Sequence, residues 1–526
     1  GPRGAVAVCA STYGDMDPSC PTGADTYQRT LQTDAWGNVT RERRGDSAAM
    51  EVVRSYHAQN GRIATICAGN AACNLTNEAY GWDAAGNLSS HQKEQRYLEA
   101  FQYDALNRLI ESKVLTQNGV ATNVITLAQG YDKLGNVCMK NGLGFDYAGA
   151  DGCGGAAMMS APMMASAARQ TTPTPSYQRP ATTQVKVPAA WRESRAHHAP
   201  EYRQRRYSDD DRPSWDRDAD SWGQNQQLRH EPLDRFWVRN AAKPRTATAP
   251  QVAPAPSKPT ASSGTVSPLS SGGGSPHAVS QSGTGTGASY YYYDGRGNQT
   301  LRDAPGTAND RTILYSVDDK AYQISMGGGQ RVRFWYGPDG QRYKRVEGGK
   351  TTYYLGGVEV VVQGGTTFKR YLGGIALQTV VDGSVQATKY LFHDHLGSLV
   401  RIANADGSIA DSLDYAAFGG RRSYSNPSAA GTGTSTTDRS FTGHEAVDGT
   451  GVIHMNGRIY DAEVGRFLQA DPVIQAPDNA QSWNAYTYCF NNPLAYTDPS
   501  GNISLRQALG LVIAVAASFI SGQYWI

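Results

Sequence analysis

Residues 80–90 read YGWDAAGNLSS, and variants of this stretch return along the chain. TDAWGNVT starts at Thr33, FQYDALNRLIES at Phe101, GYDKLGNVCMK at Gly130, YYYDGRGNQTL at Tyr291 and RFWYGPDGQRYKR at Arg333. The shared core is an aromatic, an Asp, two variable residues, Gly or Asn, then a polar residue and often an apolar one. Such a unit is a β-hairpin. The aromatic ends one strand, Asp caps a turn by bonding its own backbone, Gly or Asn takes the positive φ, and the next strand leaves. The first four Asp residues (Asp34, Asp83, Asp104, Asp132) are 49, 21 and 28 positions apart. About twenty residues per unit suits one hairpin, and such a hairpin must stack on neighbours to bury its face.

Composition agrees. The 526 residues include 58 Gly and 30 Tyr against 11 Phe, a balance suited to turns and half-buried pleated surfaces. A net charge of +2 gives no global field for nucleic acid, and no nucleic-acid contact is expected through this region. The seven cysteines are scattered without a CxxC pair or zinc-finger spacing; Cys67 and Cys73 are close enough to pair, but reduced thiols are the expectation. The chain opens GPRGAV, with neither initiator Met nor signal peptide, so it reads as a fragment.

Between residues 155 and 287 the pattern is absent. Segments such as RQTTPTPSYQRP and APQVAPAPSKPTASSGTVSPLSSGGGS are too poor in apolar residues to offset chain entropy, which predicts a disordered insert. His197 and His198 within it are expected to be solvated, and the basic RQRRY is neutralised by the DDD and DRDAD that follow.

From Tyr390 a series of motifs is more specific: YLFHDHLGSLVRIANADGS, then DYAAFGGRR, then RSFTGHEAVDGTGVIHMNGRIYDAEVGRFLQADP, then NAYTYCFNNPLAYTDPSGN. With the repeats upstream, it resembles the Rhs or YD-repeat family of bacterial polymorphic toxins and its repeat-associated core domain. The resemblance implies an all-β chain whose antiparallel hairpins spiral into part of a hollow shell. It divides the sequence into repeats over 1–154, the insert, repeats over 288–389, the core domain over 390–502 and a separate tail over 503–526.

In that family the core often cuts its own chain after the second of two DP motifs, leaving a C-terminal toxin inside the shell. Carried over, the acid pair is Asp471 and Asp498, assisted by Arg458, and the bond cut is Asn502–Ile503. Two neighbouring carboxylates share a proton, so one can activate water while the other protonates or polarises the peptide. Asp461, Gly465, Arg466 and Phe467 match a structural YDxxxGRF element, Asn491, Asn492 and Pro493 a turn, and Pro499 and Gly501 belong to the second DP motif. Two positions depart from the pattern: Asn502 replaces the usual Leu before the cut, and Ile474 stands where Gly is usual. An Asp before Pro also caps turns, so turn-capping alone stays open for both residues. His393 and His395 fall on one face of a strand but lack a third ligand, so no metal and no cofactor are expected. No motif for a turnover enzyme is visible.

The tail changes character. Ser504 and Gln507 have capping-box spacing, which predicts a helix, and Ala508 to Ile520 is almost continuously apolar. That stretch is shorter than the roughly 20 residues a bilayer span needs, which leaves membrane contact through 505–520 and the first helix of a longer effector both open. The resemblance makes the partners the chain's own C-terminal toxin domain, a secretion-system spike or adaptor, and an immunity protein, on an exported, secreted or cell-surface chain. The competing function is a non-cleaving surface protein that binds carbohydrate or another cell-surface partner through its Tyr-rich faces.

Overall fold

The computed structural model describes residues 7–9, 26–45, 50–70, 72–147, 276–431, 435–503 and 505–506. The chain divides into two units, Gly1–Ala168 with Leu269–Ile526, and Arg169–Pro268; the second lies outside the described residues. Within the first, 27 short strands form one antiparallel sheet, in which each strand pairs with the next along the chain. The one exception is Ser384–Val385, which shares Ala376–Val381 with Lys389–His393. Strands such as Thr76–Trp82 and Tyr97–Tyr103 alternate buried with less buried residues, the period of a one-faced sheet. Tyr27, Met50 and Leu75 of the first strands share a core with Tyr390, Phe392 and Leu399, far later in the chain.

The repeat turn follows one recipe. At Asp83, the backbone N–H donates to Asn87 O (2.9 Å) and Gly86 N–H returns to Asp83 O (3.0 Å). The Asp83 carboxylate takes Asn87 N–H on Oδ1 (2.8 Å) and Asn87 Nδ2 on Oδ2 (2.9 Å). Asp34–Asn38, Asp132–Asn136 and Asp294–Asn298 repeat all of these bonds. Gly86 sits at φ 81°, where a side chain is strained. The aromatic just before the turn, whose first residue is Asp83, Asp104, Asp132, Ser316 or Gly337, has its own task. It donates to the first backbone carbonyl after the preceding turn on the same edge: Trp82 to Ile63, Tyr103 to Leu88, Tyr131 to Leu109, Tyr315 to Gln299 and Tyr336 to Ala321, all within 2.9 Å. Asp closes its own hairpin and Tyr ties that hairpin to the one before. Phe lacks the hydroxyl, which accounts for the excess of Tyr.

A meander reverses direction at every strand, so alternate turns lie on one edge. The turns at Asp34, Asp83, Asp104, Asp132 and Asp294 all fall there. So does Asp394, whose Oδ1 takes Leu396 N–H and Ser398 N–H. DHLGS is therefore another repeat turn, and His395 lies in that turn rather than on the face of a strand. His395 is buried, bonds Leu494 O at 3.1 Å and packs on Tyr80. No metal-binding cluster of His, Cys, Asp or Glu occurs among the described residues.

Three expectations need correction. The insert does not extend to 287: Val279–Ser282 pairs with Leu143–Tyr147, and Ala278 and Val279 are buried. A four-residue strand in a Ser- and Gly-rich setting gains its order from a partner more than a hundred residues away. Leu143–Tyr147 and Val279–Ser282 are thus adjacent strands although the insert separates them in sequence; its residues up to 275 lie outside the described set. Cys67 and Cys73 are joined in a disulfide with Cα atoms 5.0 Å apart, and Cys138 is disulfide-bonded too. The pairing follows from consecutive strands that bring the two ends of CAGNAAC together. Finally, no helix starts at Ser504: Leu505–Arg506 is a strand paired with Tyr496–Thr497. The apolar run 508–520 lies outside the described residues. No helix among the described residues is long and apolar enough to cross a membrane.

Two predictions follow from these contacts. Replacing Tyr103 by Phe leaves Leu88 O without its donor and lowers unfolding stability by about 1 kcal/mol in chemical denaturation. The second concerns acid. Burial lowers the pKa of six histidines, with His393 and His395 at about 3, His444 at about 4, and His91, His277 and His454 below their usual value. Below the ordinary His range the unfolded chain binds these protons and the native chain does not, so stability falls with pH. Asp394 and Glu359, pushed up to about 7 by burial, act in the opposite sense but are fewer. Glu42, Glu78, Glu99 and Glu445 are held at about 2 by cationic partners despite burial, and their contribution is lost as pH falls from about 4.5 towards 2. Melting temperature is expected to decline from pH 6.5 to 5 and then more steeply; a flat or rising curve over pH 7 to 5 contradicts the assignment.

Candidate active site

After Ser412 the chain leaves the large sheet. It forms one two-stranded pair, Asp414–Tyr415 with Arg421–Arg422, and a four-stranded sheet of Glu445–Val447, Val452–Met455, Arg458–Asp461 and Arg466–Phe467. This segment is seated on the repeat turns through their polar groups. Arg466 Nη2 and Asn491 Nδ2 both donate to Gly135 O, at 2.8 and 3.2 Å. Asn492 Nδ2 reaches Asn87 Oδ1 (2.8 Å), Tyr486 OH reaches Gly297 O (2.7 Å) and Gln469 Nε2 reaches Asp319 O (3.0 Å). Cys489, Phe490 and Asn491 are all in the left-handed region, a strained run ahead of buried Pro493 that these bonds hold in place.

Asp461, Gly465 and Phe467, expected to be structural, lie in and beside one turn. Asp461 caps its turn by accepting Glu463 N–H and pairs with Arg311 at 2.7 Å, both side chains being buried. Gly465 has φ 76°, and a Cβ there would lie 3.0 Å from the Phe418 ring. Phe467 lies beneath Arg458, whose guanidinium carbon is 3.5 Å from the ring centroid.

Arg458 brings the two DP motifs together. Its Nη2 lies 2.8 Å from Asp471 Oδ2 and 3.4 Å from Asp498 Oδ2. Its Nη1 donates to Ala485 O at 3.0 Å, and its Nε to Gly501 O. Asp498 is fully buried, whereas the Asp471 side chain keeps 17% of its exposure. Burial raises both carboxyl pKa values against the opposing pull of Arg458. One cation facing two carboxylates leaves a net negative charge, so the pair favours holding a proton. Asp471 also caps its own turn through Val473 N–H at 2.9 Å.

DPSGN is the repeat turn in modified form. Gly501 N–H bonds Asp498 O, and Asn502 N–H bonds Asp498 Oδ1 at 3.0 Å, as in the turns upstream. Two features are new. Asp498 Oδ1 also accepts Ile503 N–H at 2.9 Å, and Oδ2 faces Arg458 where the other turns use it to hold Asn. The nitrogen of the Asn502–Ile503 bond therefore rests on a buried carboxyl group. The three carbonyls ahead of Asn502 are gripped: Pro499 O by His444 Nε2 (3.2 Å) and Asn456 Nδ2 (3.1 Å), Ser500 O by Gly457 N–H (2.9 Å), and Gly501 O by Arg458. Ile503 is 43% exposed, so the bond lies at the edge of solvent. The structure thus brings Arg458, Asp471, Asp498, Asn502 and Ile503 into one place. Sequence reasoning missed His444, Asn456 and Gly457, which act through backbone carbonyls and carry no motif. The likeness of DPSGN to DAAGN was available and marks the turn directly.

No protein-family model matches the chain. Its fold is similar to part of the solved Photorhabdus luminescens Tc holotoxin pore, with a TM-score of 0.53 over 92% of this chain and 19% of that one at 14% identity. Among curated proteins, it is 30% identical over 129 residues to salivary gland surface protein 1 of Aedes aegypti, 24% of this chain and 3% of that one. It is 24% identical over 221 residues to the tRNA nuclease WapA of Bacillus subtilis, 40% of this chain and 9% of that one. The chain therefore spans less than a tenth of these curated relatives.

Gly501 gives a direct test of the turn. It has φ 73°, and a Cβ there would stand 1.9 Å from Met455 O. Gly501→Ala is expected to cost well over about 1 kcal/mol in thermal or chemical unfolding, since the backbone strain alone exceeds that figure.

Proposed function

We propose that this chain is the C-terminal part of an Rhs-type toxin-delivery protein, whose β-repeats enclose a C-terminal toxin domain that the chain cuts from itself between Asn502 and Ile503. The observation that carries the reading is Asp498 Oδ1 at 2.9 Å from the nitrogen that must leave. In its protonated form, favoured by burial, the Asp498 carboxyl gives that nitrogen the proton it needs as the C–N bond breaks. The charge left on Asp498 as the proton moves faces Arg458, whose Nη2 Asp471 holds in position, and Arg458 also keeps Gly501 O and the chain before the cut in place. The likeness in fold to a toxin pore component and the matched nuclease relative support a toxin-related role. The Cys67–Cys73 disulfide suits an exported chain, because such bonds persist in oxidising compartments. Attack on competing bacteria, with a secretion-system adaptor and an immunity protein as partners, completes the proposal.

The test is intact mass of the chain carrying a tag after Ile526, compared with Asp498→Asn and Asp471→Asn. Asn caps turns as Asp does, so Asp498→Asn should keep a melting temperature close to wild type. Wild type is expected to yield a fragment starting at Ile503, and both variants to stay whole. Cutting of Asp498→Asn at the wild-type rate removes the carboxyl from the chemistry. A wild-type chain that stays whole reduces both DP motifs to turns and the protein to a repeat scaffold.

A further inference from the structure

We infer that the group attacking the Asn502 carbonyl is the residue's own side-chain nitrogen, so that the cut leaves a succinimide at position 502 in place of a free carboxylate. The inference rests on the self-cleavage proposed above and names its nucleophile.

The comparison among turns carries it. Asn38, Asn87, Asn136 and Asn298 occupy the same turn position as Asn502, and each has Nδ2 bound to Oδ2 of its Asp at 2.9 to 3.0 Å. In DPSGN that oxygen faces Arg458, so the Asn502 carboxamide is released from the bond that immobilises its counterparts. It is given room instead: Nδ2 lies over Gly457, where a Cβ would come within 2.4 Å of it. The leaving nitrogen is meanwhile fixed on Asp498 Oδ1. That bond also disfavours the competing ring closure, in which Ile503 N would attack the side-chain carbonyl and deamidate Asn502. The β-branched Ile503 side chain crowds that route further.

The step balances without water or any added reagent. Asn502 Nδ2 bonds to the Asn502 carbonyl carbon and closes a five-membered ring. The bond from that carbon to Ile503 N breaks, and its electron pair leaves on nitrogen. Ile503 N takes the Asp498 carboxyl proton, and the proton shed by Nδ2 restores it. A nucleophile tethered to its own target needs no bimolecular encounter. On this account Asn502, the departure from the usual Leu, replaces the water-activating half of the chemistry, and Asp498 remains the acid.

The experiment uses the tagged chain, stopped in acid at early times, with and without hydroxylamine, beside Asn502→Gln and Asn502→Leu. The two wild-type fragments are expected to sum to the mass of the uncut chain, with no water added. Hydroxylamine should convert the new C-terminus to a hydroxamate, and on standing the ring should open partly to isoasparagine. Gln must close a larger ring and is expected to cut about a hundredfold more slowly or not at all. Leu has no nucleophile and should not cut, while both variants keep the wild-type melting temperature. If Asn502→Leu is cut at the same bond at a comparable rate, or the earliest fragment is already heavier by one water and gives no hydroxamate, water is the nucleophile. The inference then fails and the acid pair stands. If wild type is never cut, the proposed function fails and the inference with it.

Discussion

An Asp carboxylate accepting the backbone N–H four residues ahead is the interaction on which this structure depends. At Asp34, Asp83, Asp132 and Asp294 it closes a hairpin, and a glycine at positive φ lets the chain reverse. The bond is local, so each hairpin specifies its own register. The aromatic beside the Asp then spends its hydroxyl or indole N–H on the preceding repeat, which makes stacking directional as well as hydrophobic. Because these turns share one edge, the sheet presents a row of backbone carbonyls and Asn side chains there. The core segment is built to meet that row, through Arg466, Gln469, Tyr486, Asn491 and Asn492.

The candidate site grew from the same turn. Asp498 keeps the capping bond on Oδ1 and redirects Oδ2 to a cation shared with Asp471. A structural carboxylate has two oxygens and the hairpin can stand on one of them. The other is then available for chemistry at no cost to the turn. The two roles open for Asp498 are therefore compatible: capping positions the carboxyl on the Ile503 amide, where the proposed chemistry needs an acid.

Legibility in the sequence followed the range of the interaction. Hairpin units, the use of Asp and Gly and the preference for Tyr are encoded within five residues and can be read directly. The grouping of Arg458, Asp471 and Asp498 came from family resemblance and holds in the structure, although no spacing rule places Ala485 and Gly501 on the same guanidinium. What escaped reading depends on distant partners. Val279 is a strand because Tyr147 is there to pair with it. The capping-box spacing of Ser504 and Gln507 is a local signal for a helix, and pairing of Leu505–Arg506 with Tyr496–Thr497 overrides it. DHLGS was misread for the opposite reason: its two histidines were placed together on one face of a strand, while its Asp and Gly had the repeat spacing.

That last pairing bears on how a cut chain would behave. Tyr496–Thr497 lies before the scissile bond and Leu505–Arg506 after it, so breaking Asn502–Ile503 severs the turn but not the hairpin. The new amino group of Ile503 would carry a positive charge at the position where its amide now meets Asp498 Oδ1. Once the proton restored to Asp498 passes on to the new amine, an uncharged hydrogen bond would become an ion pair between ammonium and carboxylate. Cleavage of this geometry strengthens the contact at the cut while removing the covalent link. Separation of the two pieces then requires peeling a short strand from its partner, a step distinct from the chemistry and governed by what the rest of the C-terminal segment does.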